Sequence, residues 1–318
     1  MSTASSDPDP DAAVREWART AWPEQEWDRA TLARGAFHDV VILEGHIVAR
    51  ISSGAAAGIR TRREVMAHRI ISSLGLPWAT PEPIGEEHSA SGRTGLRLTF
   101  VAGATGQAGW PDVGNQLVQA LTALHQVQPR QVEALSSPRA WCGGHDWSGI
   151  VQQRLVPRLP PTARTLAVAV VEDVLAVETG APARLVHGDF GMHNILWDGQ
   201  EITGVIDWDH AAWGDPAIDI APLIGTFGAA DLRSAFEPAI LERALVHRAT
   251  LPLQVAAAAT IVGNRALCDH ALRNFCTRSE AGTLYDPGGL TPPDARPKRA
   301  ARSIARSARS GGSSTSNS

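Results

Sequence analysis

Cysteine, methionine and tyrosine are scarce in this sequence, which contains three, three and one of them in 318 residues. The cysteines, Cys142, Cys268 and Cys276, are odd in number and far apart, so we do not expect a disulfide framework, and a reducing cytoplasm is the expected location. Cys268 and Cys276 flank His270, but no Cys-x2-Cys pair is present and this segment has helical spacing. We therefore expect these side chains to pack in a core rather than to hold a metal ion.

Long hydrophobic runs are also missing. The longest, Leu166–Val171, is far too short to cross a bilayer, so the sequence does not indicate a membrane protein. Residues 1–11 are polar and acidic, without the basic and apolar regions of a signal peptide. Pro, Asp and Ser dominate these residues, and Pro, Gly, Arg and Ser dominate residues 285–318, so we predict that both ends are disordered.

Basic residues are concentrated near the C-terminal end. Residues 292–318 carry six of them against one aspartate, although the formal net charge of the chain is −4. Such a tail could contact nucleic acid, but it has no interspersed aromatic residues and no nucleic-acid-binding fold accompanies it, so nucleic acid is not the expected partner. The rest of the chain is correspondingly acidic, which favours a cationic small molecule as partner, although solubility alone would also explain the charge.

The most informative stretch reads Leu-Val-His-Gly-Asp-Phe-Gly-Met-His-Asn-Ile-Leu-Trp, residues 185–197. Apolar segments on both sides of a polar loop predict a strand, a loop and a second strand. The loop contains Asp189 and Asn194, and a third predicted strand ends at Asp207. An aspartate, an asparagine and a second aspartate are therefore expected to converge at one end of a small sheet.

These residue types suit phosphoryl transfer to an alcohol. The reaction needs a carboxylate that orients the hydroxyl and takes its proton, and oxygen ligands for the Mg²⁺ that bridges the nucleotide phosphates. The spacing equals that of the protein-kinase catalytic loop and its metal-binding aspartate, with His-Gly-Asp in place of His-Arg-Asp. The alternative interpretation is a surface hairpin with two incidental acidic residues.

Three short strands are predicted near the start of the chain, over residues 30–34, 39–43 and 47–51. The turn between the first two contains Gly35, Phe37 and His38, and its backbone N–H groups can fold over nucleotide phosphates. A single glycine at a hairpin is, however, often only a turn.

The third strand ends near Arg50, where a kinase-like lobe places its phosphate-binding cation. The segment Thr61–Leu74 has helical spacing that would turn Glu64 inward, where it could meet Arg50. The alternative is that Arg62, Arg63 and Glu64 are all solvated surface charges.

Beyond these strands the pattern changes. Residues 102–106 are small and flexible, and they predict a hinge whose backbone groups hydrogen-bond an adenine edge. Helical spacing then dominates, with helices predicted over residues 112–127, 162–179, 217–227, 231–247 and 253–278. The expected fold class is α+β with two lobes: a small β-rich nucleotide-binding lobe, residues 12–101, and a larger, mainly helical catalytic and substrate lobe, residues 107–284.

The motifs Val186–Leu196, Gly204–Asp209 and Gly214–Asp219 together resemble those of the aminoglycoside phosphotransferase family. The resemblance covers residues 30–275 and implies a protein-kinase-like fold. It also implies ATP as the phosphate donor, with GTP not excluded, and Mg²⁺ as the metal.

Within the family, two segments of the first lobe, 34–41 and 46–50, look most like viomycin and capreomycin phosphotransferases. Arg50 stands where many family members have lysine. Macrolide phosphotransferases also have arginine there, so this departure does not suggest an inactive enzyme.

The resemblance implies a role for each matching residue. Asp189 would be the catalytic base, Asn194 and Asp207 the Mg²⁺ ligands, and Arg50 with Glu64 the pair that anchors the nucleotide phosphates. On the nucleotide side, the expected contacts also include the turn residues Gly35, Phe37 and His38.

Three further residues, His187, Asp215 and Asp219, are expected to support the catalytic loop. Asp215 precedes Pro216, so capping of the following helix is its first explanation. Asp219 lies one turn later and, if buried, would need backbone donors, which the catalytic loop could provide.

Acceptor-binding residues are expected among acidic side chains of the second lobe, because carboxylates suit a polycationic acceptor; they are Asp209, Asp231, Glu237 and Asp269. The expected function is phosphorylation of a hydroxyl of a cationic antibiotic, a tuberactinomycin such as viomycin or capreomycin, or an aminoglycoside, which confers resistance. The alternatives are a macrolide phosphotransferase, a small-metabolite kinase of the same fold and, in another class, a nucleotide-binding regulator without activity. Monomer and dimer are both compatible with the sequence.

Overall fold

The computed structural model describes residues 10–54, 56–106 and 108–290. The strands within them are Thr31–Arg34 (β1), His38–Leu43 (β2), Ile47–Ser53 (β3), His88–Ala90 (β4), Arg93–Thr99 (β5), Ala104–Thr105 (β6), Arg184–Val186 (β7), Ile195–Asp198 (β8), Glu201–Val205 (β9) and Ala212–Gly214 (β10). The α-helices are Pro10–Ala21 (α1), Ala57–Ser72 (α2), Trp110–His125 (α3), Trp147–Ile150 (α4), Pro161–Glu178 (α5), Ala217–Phe227 (α6), Ala229–Leu232 (α7), Pro238–Ile261 (α8) and Arg265–Glu280 (α9).

The first lobe is a five-stranded antiparallel sheet with the strand order β1-β2-β3-β5-β4. On one face, Val41 and Ala49 are buried in a cluster with Trp17 of α1. On the other face, Val65 of α2 packs with Leu96 of β5. Because side chains alternate along a strand, Arg50 points to the α2 face, opposite to its neighbour Ala49.

The segment predicted as a hinge, residues 102–106, contains the short strand β6. This strand pairs with β8, so the segment is hydrogen-bonded to the hairpin that follows the catalytic loop. Gly103 has φ +133°, and a Cβ at this position would lie 2.4 Å from Oγ1 of Thr203 in β9. The connection between the lobes therefore needs glycine where it approaches β9.

The second lobe surrounds two small sheets with helices. One sheet has the order β6-β8-β9, and the other pairs β7 with β10. Apolar side chains of α3, α5, α6 and α8 form one core with these strands, among them Leu117, Val170, Leu223 and Leu253. Both sheets are packed against this core, which holds the loop between β7 and β8 in place. The architecture is α+β, as the sequence predicts.

The last predicted helices are divided differently in the structure. The sequence predicts two helices, over 231–247 and 253–278, whereas α8 begins at Pro238 and continues through Pro252 to Ile261, and α9 is a separate helix from Arg265 to Glu280. A proline inside a helix removes a hydrogen bond and costs about 3 kcal/mol. Leu253 and Ala256 are fully buried just beyond it, so burial of the continuous helix in the core offsets that cost.

Residues 285–290, which are predicted to belong to a disordered tail, pack against the helical lobe. Tyr285 and Asp286 are buried, and Oδ1 of Asp286 accepts the backbone N–H of Ala229 at 2.7 Å. Leu290 packs on the edge of the core. The prediction is wrong for residues 285–290, because composition does not reveal that a carboxylate satisfies the start of a helix distant in sequence.

The remaining parts of the two ends predicted to be disordered, residues 1–9 and 291–318, lie outside the described residues. Helix α1 begins at Pro10, so the predicted boundary after residue 11 is two residues late. Across the part of the chain that the structure describes, no helix combines the length and the apolar character that crossing a membrane requires.

Candidate active site

The loop between β7 and β8 is held by a buried carboxylate of α6. Asp219 is fully buried and accepts the backbone N–H groups of His187 and Gly188, both at 2.8 Å. Burial raises the pKa of Asp219 to about 7, although the two N–H donors act in the opposite direction. The backbone donors predicted for a buried Asp219 are therefore N–H groups of the catalytic loop.

The buried ring of His187 ties the loop to the end of β9. Its Nε2 lies 2.9 Å from the carbonyl oxygen of Ile206, which can only accept, so Nε2 carries the proton. Nδ1 then accepts the backbone N–H of Asp189 at 3.2 Å. Burial lowers the pKa of His187, which keeps the ring neutral in this role.

Gly188 occupies a position that no other residue fits. Its φ is +90°, and a Cβ would lie 2.4 Å from the carbonyl oxygen of His210. The His-Gly-Asp sequence, in place of His-Arg-Asp, thus reflects the close approach of the segment that follows Asp207.

Asp189, the predicted base, lies at the open end of the loop with 39% of its side chain exposed. Nδ2 of the buried Asn194 donates to its carbonyl oxygen at 3.0 Å and to Oδ2 at 3.3 Å. Nε2 of His193 lies 3.1 Å from the same Oδ2. Burial alone would raise the pKa of Asp189, but the hydrogen bond with His193 and the nearby His210 outweigh it, so the pKa is lowered. Asp189 is therefore ionised near neutral pH, as a proton acceptor must be.

Asp207 follows β9 in the left-handed conformation, with φ +67° and ψ +57°. Aspartate adopts this conformation more readily than most residues. One of its oxygens, Oδ1, lies 2.8 Å from Nη2 of Arg50 in the first lobe. Burial opposes ionisation of Asp207, but Arg50 more than compensates and holds the pKa of Asp207 well below its ordinary value.

Arg50 joins the two lobes through its other contacts as well. Its Nε is ion-paired with Oε1 of Glu64, which is 1% exposed on α2. The Nε2 atom of His38 lies 3.2 Å from Oε2 of the same carboxylate. Although burial would raise the pKa of Glu64, Arg50 and His38 lower it to about 2. His38, predicted on the nucleotide side, thus faces the Arg50–Glu64 pair.

Asp209 lies beside Asp207 and shares its arginine. Its Oδ2 is 3.5 Å from Nη2 of Arg50, and its side chain is 11% exposed. Burial and the neighbouring Asp207 carboxylate raise the pKa of Asp209 well above its ordinary value. Asp209 therefore belongs to the carboxylate group around Arg50, and it also lines the adjoining cavity.

Asp215 accepts the backbone N–H of Ala217 at 3.0 Å, so it supports the start of α6 as the sequence suggests. It also makes two contacts that the sequence does not reveal. Oδ2 lies 2.8 Å from Nε of Arg243 and 3.3 Å from Nε2 of His247, both on α8. Burial opposes its ionisation, but these partners lower the pKa of Asp215 to about 2.

The other acidic residues expected to bind the acceptor lie elsewhere. Asp231 is exposed on α7, and Glu237 is exposed just before α8. Asp269 is ion-paired with Arg158 on the surface of the helical lobe. Within the described residues, no hydrogen bond or ion pair joins any of these three carboxylates to Asp189, and a role for them in acceptor binding remains a prediction.

The β1–β2 turn covers a cavity of about 240 Å³ that is lined by Gly35, Phe37 and His38, together with Arg60 of α2. Phe37 also reaches toward the second lobe, where the ring of Trp141 lies 6.3 Å away, centre to centre. The turn therefore lies next to the second lobe, and its contact with nucleotide phosphates remains a prediction.

A second cavity, of about 370 Å³, adjoins Asp209 and contains residues that the sequence analysis did not select as site residues. They are Arg60, Arg63, Trp141 and His210. Trp141 lies in the irregular segment after α3, and Arg63 is adjacent to Glu64. The local sequence spacing does not indicate that either residue lies near the catalytic loop. His193, four residues after Asp189, could have been found from that spacing.

The fold and the site define a class of protein. A lobe that pairs an arginine with a glutamate faces a loop with an ionised aspartate, an asparagine and a further aspartate. This combination in a bilobal α+β fold is that of a protein-kinase-like phosphotransferase.

The comparisons give the family. A model described as the phosphotransferase enzyme family, APH, matches residues 11–256, and the chain belongs to this family. Viomycin phosphotransferase from Streptomyces vinaceus is 28% identical over 215 residues, which are 61% of this chain and 72% of the relative.

Solved structures agree on the fold. The GDP complex of aminoglycoside 2'-phosphotransferase-IIIa superposes with a TM-score of 0.66 at 15% identity, covering 86% of this chain and 100% of that chain. Macrolide 2'-phosphotransferase type I has a TM-score of 0.56 at 19% identity, with coverage of 77% and 90%. The predicted protein-kinase-like fold and family are therefore confirmed.

Proposed function

We propose that this enzyme uses ATP to phosphorylate a hydroxyl group of an antibiotic. The observation that carries the proposal is the convergence of Asp189, Asn194 and Asp207 at one end of the β8–β9 hairpin, facing the Arg50–Glu64 pair of the first lobe. Family membership supports the same reaction type. GTP remains an alternative donor.

Asp189 acts on the acceptor hydroxyl. Its ionised carboxylate is partly exposed and is oriented by Asn194 and His193, so it can accept a hydrogen bond from the hydroxyl. It can then take the proton as the new O–P bond forms and the bond from the γ-phosphorus to the β–γ bridging oxygen breaks, which releases ADP. Phosphoryl transfer depends mainly on positioning and electrostatics, and the buried contacts of Asp219 and His187 supply that positioning for the loop.

The site offers ligands that suit Mg²⁺. Because Nδ2 of Asn194 donates to Asp189, its Oδ1 is the atom left for a metal, and the Asp207 carboxylate supplies a second hard oxygen ligand. Among the described residues no cluster of three or more His, Cys, Asp or Glu side chains forms a metal site, so phosphate oxygens and water would complete the coordination. When bound, Mg²⁺ neutralises charge on the nucleotide phosphates.

The nucleotide would bind between the lobes. Gly35, Phe37 and His38 line the cavity proposed for the phosphates. Nη2 of Arg50 lies 3.3 Å from Nδ1 of His38, so Arg50 is the candidate cation for pairing with them. Backbone groups of residues 102–106 are the candidates for contacts to the adenine. Arginine can contact phosphate through two nitrogens, so its presence in place of lysine is compatible with this role.

The acceptor class has two candidates. A cationic antibiotic of the tuberactinomycin or aminoglycoside type is supported by the similarity to viomycin phosphotransferase. A macrolide is supported by the cavity beside Asp209, which is lined by aromatic, aliphatic and arginine side chains rather than by a row of carboxylates.

A panel assay tests the proposal. The full-length protein would be incubated with Mg²⁺ and ATP, or GTP, together with viomycin, kanamycin or erythromycin, and the products analysed by mass spectrometry. Addition of one phosphate to at least one antibiotic supports the proposal. Transfer only to small metabolites would overturn the antibiotic assignment and leave the reaction type. A protein that binds nucleotide without transferring phosphate to any acceptor would contradict both.

A further inference from the structure

The cavity beside Asp209 adjoins the catalytic loop. Its walls come from the start of α2, from the β1–β2 turn, from the segment around Trp141 and from the end of α8. His210 of this lining touches the loop, because its carbonyl oxygen lies 2.4 Å from the position that a Cβ on Gly188 would take. A molecule in this cavity would therefore lie against the loop that carries Asp189. Its volume of about 370 Å³ falls within the range of small-molecule pockets.

One wall of this cavity is flat and aromatic. The indole of Trp141 stacks on the ring of His210, with the centres 4.3 Å apart and the planes at 17°. The ring of Phe37 lies 6.3 Å from the same indole, centre to centre, with the planes at 55°. Ile59 and Ile261 also line the cavity, with 67% and 43% of their surface exposed, so the wall offers apolar surface that a bound molecule can cover.

The charge of the cavity is positive. Arg60 donates to the carbonyl oxygen of Ser53 at 2.9 Å, and Arg63 donates to that of Ala140 at 3.0 Å. Neither guanidinium forms an ion pair with a carboxylate of the described residues. Asp209, the acidic residue of the lining, is already paired with Arg50.

We propose that this cavity binds the acceptor and selects a hydroxyl compound with a broad apolar or planar face and oxygen hydrogen-bond acceptors over a saturated polyamine such as an aminoglycoside. The inference rests on the proposed function and names the substrate class of the same site. The apolar face would cover Trp141 and Ile59, and carbonyl or ether oxygens would accept from Arg63. Several ammonium groups near Arg60 and Arg63 would be repelled.

Variants at Arg63 and Trp141 can distinguish acceptor binding from nucleotide binding. Both line this cavity, and neither lines the cavity under the Gly35 turn, whereas Arg60 and Phe37 line both. Changes at Arg63 or Trp141 should therefore alter acceptor affinity and leave nucleotide affinity unchanged.

The test is calorimetric binding of erythromycin and of kanamycin to the full-length protein in the presence of ADP and Mg²⁺. We expect erythromycin to bind at least about tenfold more tightly than kanamycin, and Trp141→Ala to weaken erythromycin binding about tenfold. Arg63→Gln removes a positive charge, so it should strengthen kanamycin binding and reduce the ratio of erythromycin affinity to kanamycin affinity. Arg62→Gln, which changes an exposed neighbouring arginine, is the matched control. It should leave the affinities for erythromycin, kanamycin and ADP unchanged, the last measured in a separate titration. Trp141→Phe, which keeps an aromatic face, guards against misfolding and should retain most of the preference.

The inference is overturned if kanamycin binds the wild-type protein as tightly as erythromycin, or if neither compound binds. It is also overturned if the Trp141 and Arg63 variants change the affinity for ADP and not the affinity for erythromycin or kanamycin. The proposed function is tested separately, because it fails if phosphate transfer does not depend on Asp189, whatever the order of affinities.

Discussion

Arg50 and Asp207 form an ion pair across the cleft, with 2.8 Å between Nη2 and Oδ1. The arginine belongs to β3 and the aspartate follows β9, so one contact joins the predicted phosphate anchor of the first lobe to the predicted metal ligand of the second. The same guanidinium is also paired with Glu64 and lies 3.5 Å from Asp209. One buried cation therefore stabilises a cluster of three carboxyl groups, and lysine, whose compact ammonium has three donors but no planar fork, could not reproduce this geometry.

Replacing Arg50 tests that balance. Arg50→Met leaves buried carboxylates without their counterion, and we expect the free energy of unfolding to fall by about 3–5 kcal/mol. Arg50→Lys keeps the charge but not the planar fork, so the loss of stability should be smaller. Urea unfolding of the three proteins gives the comparison, and equal stability of wild type and Arg50→Met would contradict this account of the cluster.

Gly188→Ala tests the close approach of the catalytic loop to His210. Besides the unfavourable φ, the added Cβ would meet a carbonyl oxygen at 2.4 Å, so the loop must shift. We expect kcat to fall at least about tenfold and stability to fall by about 2–3 kcal/mol.

The matched control is Gly180→Ala, because Gly180 has a similar φ of +83° with no atom within 4 Å of the added Cβ. It should cost about 1 kcal/mol from the backbone conformation alone and leave kcat unchanged. If the two variants behave alike, contact with His210 is not what requires glycine at position 188.

Asp215 should make stability depend on pH in the acid range. Its pKa is lowered from 3.8 to about 2 by His247 and Arg243, against the effect of burial. A depressed pKa contributes stability above the unfolded value, and that contribution is lost as pH falls through the folded value. Between pH 5 and pH 3 we expect the contribution of Asp215 to the free energy of unfolding to fall by about 1 kcal/mol.

The measurement is urea unfolding of wild type and Asp215→Asn at both pH values. The difference in unfolding free energy between the two proteins should shrink on acidification. A difference that stays constant from pH 5 to pH 3 would mean that the ionisation of Asp215 is not coupled to folding.

The parts of the site that lie close together in sequence could be predicted. Asp189, Asn194 and Asp207 are placed by one strand-loop-hairpin unit, so their spacing carries the geometry. The expectation that Asp219 would need loop donors follows from the cost of burying a carboxylate without partners, and the His187 and Gly188 amides meet it.

The parts that depend on packing between distant segments could not be predicted. Arg60, Arg63 and Trp141 come from α2 and from an irregular loop, and their shared cavity exists only after the lobes pack together. A net acidic composition suggested an acidic acceptor wall, but composition does not say which side chains face the cleft. Asp269, for example, pairs with Arg158 on the surface instead.

In the proposed reaction, the Asp189 carboxylate takes the proton of an acceptor hydroxyl during transfer from ATP. The most direct measurement is kcat for phosphate transfer to whichever antibiotic the wild-type enzyme modifies, compared in Asp189→Asn and in Asp198→Asn, a control at an exposed position of the β8–β9 hairpin that follows the catalytic loop. We expect Asp189→Asn to lower kcat by about 10²–10⁴-fold with the KM for ATP little changed, and Asp198→Asn to match wild type. Transfer by Asp189→Asn at the wild-type rate would contradict the claim.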